Sequence, residues 1–181
     1  DTAALENLCH KIPVKPGDAF FVGGGCPHAV GAGCLLIEVQ EPSDLTLGAR
    51  PFYAETIRDD DVPEDVFDRR LRGAYIDEGR SYADNLKKWA SKKTCFRKGP
   101  WGEEIILIGP DHTQYFSVTR LSVHGEAAFY HTGYPQIAIV ESGKGTLIWD
   151  GGSMEVSQAK ELFFPVDIPN FRVVGDVDFV L

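Results

Sequence analysis

Short apolar runs separated by glycine- and proline-rich turns constrain this sequence more than any other feature. In the first 50 residues, the runs Ala19–Val22 and Cys34–Val39 are each bounded by such turns. Beyond residue 99 the same pattern predicts strands over Glu104–Ile108, Tyr115–Val123, Glu126–Tyr130, Gln136–Val140, Thr146–Trp149, Glu161–Phe164, Phe171–Val174 and Val177–Leu181. Turns that recur about every 8 to 12 residues favour a sandwich or barrel of short strands.

Glycine supplies the positive φ that tight turns need. The segments Lys15–Asp18, Glu141–Gly145 and Asp150–Gly152 are therefore predicted turns, the last two of them hairpins. Residues 51–98 differ from the strand regions, because Leu86, Trp89 and Ala90 stand at the i, i+3, i+4 spacing of one helix face. The sequence thus predicts a mainly β fold with a small helical connector.

Composition excludes several classes of partner. The chain has 18 Lys and Arg against 27 Asp and Glu, a formal net charge of -9, which argues against binding to nucleic acid or to an anionic membrane surface. No run approaches the ~20 apolar residues of a membrane span, and the first residues lack the basic-then-apolar order that is typical of a signal peptide. The four cysteines form no C-x-x-C pair, so we expect reduced thiols in a cytoplasmic protein.

The segment from Gly17 to His28 carries the strongest sign of chemistry. A glycine turn leads into an apolar run, a second glycine turn follows, and His28 then begins the next predicted strand. Side chains alternate between the faces of a strand, so such a histidine can project into a barrel, where a neutral imidazole is a common ligand for zinc, iron or manganese. The alternative is a polar residue that is satisfied locally or half exposed.

This segment resembles the second conserved motif of the cupin superfamily. The continuation from His28 to Thr46, with its His-Ala, Gly-x-Gly, Glu-Val-Gln and Ser-Asp elements, resembles type I mannose-6-phosphate isomerases. The segments 115–118, 139–145 and 163–165 are similar to the C-terminal cupin domain of that family. The resemblance implies a cupin-type (jelly-roll) β-barrel or sandwich, and it covers the C-terminal half of such an enzyme.

The resemblance also implies an organisation in three parts. Residues 1–50 would be the last strands of a first, metal-binding cupin domain, 51–99 the helical connector, and 100–181 a second, degenerate cupin domain. The chain opens on Asp1 rather than Met and ends within an apolar alternation, so we expect it to be part of a longer protein.

Family members hold one divalent metal, usually zinc, and His28 matches the last of its ligands. The other ligands, a Gln-x-His pair and a glutamate, are expected upstream of Asp1. The family arginine that faces the substrate should stand four residues beyond Asp44, where this chain has Gly48, so Arg50 is the candidate for that role. Asp44 would orient this arginine or bind a sugar hydroxyl; the alternatives are a solvent-facing arginine and a turn-forming aspartate.

The predicted function is the aldose–ketose isomerisation of mannose 6-phosphate and fructose 6-phosphate. The substrate partner is a small sugar phosphate, and the chain, expected to be inactive alone, would need its N-terminal half or another chain. A non-catalytic sugar-binding or structural cupin is the alternative. A metal-dependent oxygenase would need a His-x-Asp or His-x-His partner for His28, which this sequence does not contain. In the second domain, Asn170 occupies the place of the ligand histidine.

Overall fold

A computed structural model describes residues 11–23, 28–41, 93–129 and 133–181. The chain divides into two compact units, residues 1–90 and 91–181. The predicted helices of the connector lie outside the described residues. Over the described ranges the regular structure is β-strand, which confirms the prediction of a mainly β chain.

In the first unit, the predicted turn at Lys15–Asp18 is confirmed. The backbone N–H of Asp18 donates to the carbonyl of Lys15 at 3.1 Å, and the Asp18 carboxylate accepts the backbone N–H of Lys15 at 3.1 Å. Gly17 has a φ of 83°, the left-handed conformation that its place in this turn requires. Both the backbone and the side chain of Asp18 therefore stabilise this turn.

The strands predicted at Ala19–Val22 and Cys34–Val39 are not formed. Within 11–23 and 28–41, the structure has turns and one isolated bridge at Phe20, without a strand. A strand needs a neighbour to pair its N–H and C=O groups, and these two ranges supply none. The apolar pattern therefore predicted strands that the described residues do not form.

The second unit is a seven-stranded antiparallel sheet. Its strands are β1 (Thr94–Gly99), β2 (Gly102–Ile108), β3 (Val118–Phe129), β4 (Gln136–Trp149), β5 (Gly152–Ser157), β6 (Glu161–Phe164) and β7 (Phe171–Val180). Their order is β1-β2-β3-β7-β4-β5, with β6 paired to β4 outside this path. Strand β7 therefore lies at the centre, between β3 and β4.

Alternation along the central strands places one face in the core. Leu121 and Val123 of β3 and Val173, Val177 and Phe179 of β7 are all buried. A cluster of aromatic rings closes one end of this core; its members are Phe129, Phe164 and Phe171. Among the described residues no polar or charged residue is buried, so this interior is apolar throughout.

Three predicted breaks in the strands are wrong. Strand β4 runs through 141–145, where a hairpin was predicted, and β3 and β7 run through the predicted breaks at 124–125 and 175–176. The glycines let long strands bend without ending: Gly125, Gly175 and Gly145 lie opposite one another across β3, β7 and β4. A bulge between Val140 and Ser142 adds to the bend.

Two further strands differ from the prediction, and one predicted hairpin agrees with the structure. Strand β1 occupies the last residues of the range predicted for the connector, and β5 was not predicted. The hairpin at Asp150–Gly152 is confirmed, because Trp149 pairs with Gly152 across a two-residue loop and Gly151 has a φ of 88°. Local turn chemistry therefore identified this reversal correctly.

Cys34 and Cys95 are free and exposed. Over the part of the chain that the structure describes, there is no helix with the length and apolar character of a membrane span.

Candidate functional site

His28, the predicted metal ligand, begins the stretch 28–41, in which every residue is exposed. Asp44 and Arg50, the other two predicted site residues, lie outside the described residues. Over the described ranges, no group of three or more His, Cys, Asp or Glu residues is arranged to hold a metal ion. Structural and catalytic zinc sites take three or four protein ligands. The described residues therefore do not fit a zinc ion by themselves, and the ligand role of His28 stays a prediction.

In the second unit, Asn170 lies on the wall of an open cleft of about 350 Å³. The cleft forms where β3 and β4 end and β7 begins, and its other main lining residues are Phe129, Trp149, Asp150, Phe171 and Arg172. Strand register assembles it, because Arg172 of β7 pairs with Ala128 of β3 on one side and with Ile148 of β4 on the other. Residues far apart in sequence thus meet at one end of the sheet.

Two contacts fix the positions of the Trp149 and Arg172 side chains. The Trp149 indole lies across Gly152, where a Cβ atom would come within 2.8 Å of the ring. The Arg172 guanidinium donates to the Glu126 carboxylate at 2.8 Å across the β3–β7 pair. A glycine makes room for the ring, and a carboxylate orients the guanidinium.

A second polar group lies on the outer face of β3, β7 and β4. Arg120 Nε lies 2.8 Å from Glu141 Oε2, and its Nη2 lies 3.7 Å from Asp178 Oδ2. The first pair is a charge contact without the alignment of a hydrogen bond, although both atoms are shielded from solvent. The Ser142 hydroxyl donates to Asp178 at 2.6 Å. These groups form one half-buried network.

This network changes the acidity of Asp178. Burial, the largest single influence, would by itself raise the pKa of its carboxyl group, whereas hydrogen bonds from Ser122 and Ser142 lower it. The positive charges of Arg120 and His124 act in the same direction, so the pKa of Asp178 lies below its ordinary value. His124 itself is largely exposed and has its Nδ1 3.0 Å from Asp176 Oδ1.

Comparison with known proteins connects the chain to one kind of enzyme. No protein-family model matches it. Mannose-6-phosphate isomerase ManA of Bacillus subtilis is 46% identical over 177 residues, which are 97% of this chain and 52% of that protein. The mannose-6-phosphate isomerase of Streptococcus mutans is 25% identical over 175 residues, again 97% of this chain and 51% of that protein. This chain resembles the C-terminal half of the mannose-6-phosphate isomerases.

The chain spans about half the length of these curated relatives. A solved structure of the mannose 6-phosphate isomerase from Bacillus subtilis matches with a TM-score of 0.51 and 17% identity, covering 63% of this chain and 32% of that one. At 17% identity, this match is evidence for the fold only. It confirms the cupin-type β fold that the resemblance to mannose-6-phosphate isomerases implies.

Sequence reasoning missed the cleft and the Arg120 network. Trp149 ends β4 and Asp150 lies in the hairpin loop that follows it, where an aspartate is common as a turn former. The only sequence feature that could have indicated a site here was a large aromatic residue next to a carboxylate in a turn. Arg172 stands more than twenty residues away in sequence, and only strand pairing brings it to the same place.

Proposed function

We propose that these residues act as the C-terminal half of a mannose-6-phosphate isomerase that interconverts mannose 6-phosphate and fructose 6-phosphate. The 46% identity to ManA, which extends over 97% of the chain, carries this proposal. Since the chain spans about half of each relative, the chain by itself is expected to be inactive. The activity belongs to a longer polypeptide or to an assembly that supplies the other half.

The exposed apolar run in the first unit supports the need for such a partner. Leu35 is fully exposed, at 101%, and Leu36, Ile37 and Val39 are 39% to 46% exposed. A run of this kind is costly in water and is normally covered by neighbouring strands. Strands from the other half of an isomerase would cover it and would pair its backbone groups.

His28 would provide one ligand to a divalent metal, with zinc the expected ion. The remaining ligands, which the resemblance gives as a Gln-x-His pair and a glutamate, would come from upstream of Asp1, and the described residues do not form a complete set by themselves. When bound, such an ion would polarise the oxygens at the reacting carbons of the sugar. His28 is exposed at the beginning of the stretch 28–41.

The reaction moves a proton between adjacent carbons through an enediol, so it needs charge complementary to the phosphate and a defined position for the sugar. In our proposal, the Arg50 guanidinium faces the substrate and can donate paired hydrogen bonds to phosphate oxygens. Asp44 would orient Arg50 or accept a hydrogen bond from a sugar hydroxyl. The proton-transferring base is not assigned to any residue of this chain.

The deciding experiment is an isomerase assay with added zinc on two samples: this chain, and the longer polypeptide that contains it. Turnover of mannose 6-phosphate by the longer polypeptide only is the expected result. Turnover by the isolated chain would show that the ligand set is wrong. If both samples are folded and neither turns over the substrate, the isomerase proposal fails and a non-catalytic sugar-binding or structural cupin replaces it.

A histidine substitution tests the metal role in the longer polypeptide. His28→Ala should lower both the bound zinc, measured by atomic absorption, and the turnover. The control is His124→Ala, because His124 is an exposed histidine whose Nδ1 lies 3.0 Å from Asp176 Oδ1. Unchanged zinc content in His28→Ala would refute the assignment of His28.

A further inference from the structure

Strands β4 and β6 carry an apolar surface that is not part of the core. The large exposed side chains of this surface, which we call the β4–β6 patch, are those of Tyr134, Ile137, Phe163 and Val166. We infer that the β4–β6 patch packs against the other half of the longer polypeptide. The inference rests on the proposed function, because it takes this chain as the C-terminal half of a larger isomerase.

Strand pairing assembles the patch from two parts of the chain. Ile137 of β4 lies directly opposite Phe163 of β6 in the antiparallel register, and the Cβ atoms of such a pair are about 4.5 to 5.5 Å apart. The start of β4 lies beside the end of β6, so Tyr134 and Val166 are found at the same end of this pair. Four exposed apolar residues therefore lie at one end of a single strand pair.

Alternation along both strands turns the patch away from the core. Ala138 and Leu162 are 0% and 8% exposed, whereas their neighbours Ile137 and Phe163 are 65% and 64% exposed. Successive side chains of a strand point to opposite faces, so Ile137 and Phe163 lie on the outer face of the sheet. Single exposed apolar residues are ordinary, but a group of large ones is typical of a surface that another polypeptide covers.

The size of the patch fits a contact within one polypeptide better than a contact between two copies of the chain. At about 200 Å² for each large side chain, the four residues expose on the order of 500 Å². A stable complex of separate proteins buries about 800 Å² on each partner, whereas domains of one chain pack through roughly 600 to 1,500 Å² in all. A covalent link keeps the two halves at a high effective concentration, so a smaller contact is sufficient.

Charge also argues against a second copy as the partner. The segments 134–137 and 163–166 contain no charged residue, whereas the chain as a whole has a formal net charge of -9. Two copies would therefore bring like net charges together, with no complementary charges in the patch to offset them. In the proposed enzyme the alternative partner is already attached, because this chain spans about half the length of the isomerases to which it is similar.

Hydroxyl-radical footprinting tests the inference, because the oxidation of a side chain depends on its exposure to solvent. The samples are this 181-residue chain and the longer polypeptide that contains it, and mass spectrometry measures the oxidation of Phe163 in each. We expect several-fold less oxidation of Phe163 in the longer polypeptide. Phe96 is the internal control, since it is 66% exposed and lies on β1, at the edge of the sheet away from β6; its oxidation should be the same in both samples.

Three outcomes would overturn the inference. The first is equal oxidation of Phe163 in the two samples, and the second is a loss of oxidation at Phe96 as large as that at Phe163. The third is a fall in Phe163 oxidation when the isolated chain is concentrated, because a second copy would then be the partner.

A substitution tests the same contact through stability. Phe163→Asp should lower the thermal unfolding midpoint of the longer polypeptide more than that of the isolated chain, because only the longer polypeptide would bury the new carboxylate. Phe96→Asp is the matched control and should have the same small effect in both samples. An effect of Phe163→Asp that is equal in the two samples would contradict the inference.

Neither measurement requires turnover, so this inference and the proposed function can fail separately. A longer polypeptide that protects Phe163 but does not isomerise mannose 6-phosphate would refute the proposed activity and support the packing contact. An active longer polypeptide in which Phe163 is oxidised as in the isolated chain would refute the packing contact alone.

Discussion

Replacing Phe179 by alanine should destabilise the second unit strongly. Phe179 is 2% exposed and belongs to the central strand β7. Its register partners on the two flanking strands are Leu121 and Val140, each 1% exposed. Because hydrogen-bonded strands hold both neighbours in place, the structure has little freedom to collapse into the space left by the ring.

The expected loss follows from the burial of this side chain. Truncation of a buried phenylalanine to alanine typically costs about 3 to 5 kcal/mol, with the larger values where the cavity cannot close. We expect about 4 kcal/mol for Phe179→Ala, a large part of the roughly 5 to 15 kcal/mol that stabilises a typical domain. With a urea m value of about 2 kcal/mol per M, the unfolding midpoint should fall by about 2 M.

Urea denaturation followed by tryptophan fluorescence measures this loss. Trp101 and Trp149 pack against the core of the second unit, whereas Trp89 lies in the first. A Trp89→Phe background therefore restricts the signal to the second unit. The matched control is Phe163→Ala, because Phe163 is 64% exposed and its truncation should cost less than about 1 kcal/mol. Equal midpoints for the two variants would refute the reasoning from burial.

Two other predictions concern acid stability and backbone conformation. Since the pKa of Asp178 is lower in the folded state than its ordinary value of 3.8, its contribution is complete above that value and is lost as the pH falls through the folded-state pKa. Asp178→Asn should thus flatten the fall in urea midpoint below about pH 4, and an unchanged pH profile would contradict this. Gly143→Ala should destabilise far more than Gly151→Ala: both glycines have positive φ, but only at Gly143 would a Cβ lie 2.1 Å from a backbone oxygen, that of Asp176. Equal thermal midpoints for the two alanine variants would argue against a close approach at Gly143.

The strand regions of the second unit were largely predictable, but their lengths were not. Alternation identified Phe171–Val174 and Val177–Leu181 as extended, yet the structure joins them into β7. Gly175 caused the error, because a glycine within a strand pattern marks either a turn or a bend. Its φ of 139° and its position opposite Gly125 and Gly145 make it a bend. Which outcome occurs depends on whether neighbouring strands pair on both sides of the glycine.

The candidate functional residues also include some that the sequence indicated and some that it did not. The motif around His28 was visible in the sequence because its glycine turns and its histidine follow one another within a few residues. The cleft was not visible, since Trp149 and Arg172 meet only through the pairing of β4 with β7. No periodicity within one segment records which strand will be its neighbour.

The sequence by itself determined the mainly β character, the turns at Lys15–Asp18 and Asp150–Gly152, and the resemblance to mannose-6-phosphate isomerases. These properties depend on side-chain alternation, on the φ preference of glycine and on local motifs, all of which act over a few residues. The tertiary structure decided the strand order, the continuity of β3, β4 and β7, and the juxtaposition that forms the cleft. These depend on hydrogen bonds and packing between residues distant along the chain, whose free energy appears only when the strands are assembled.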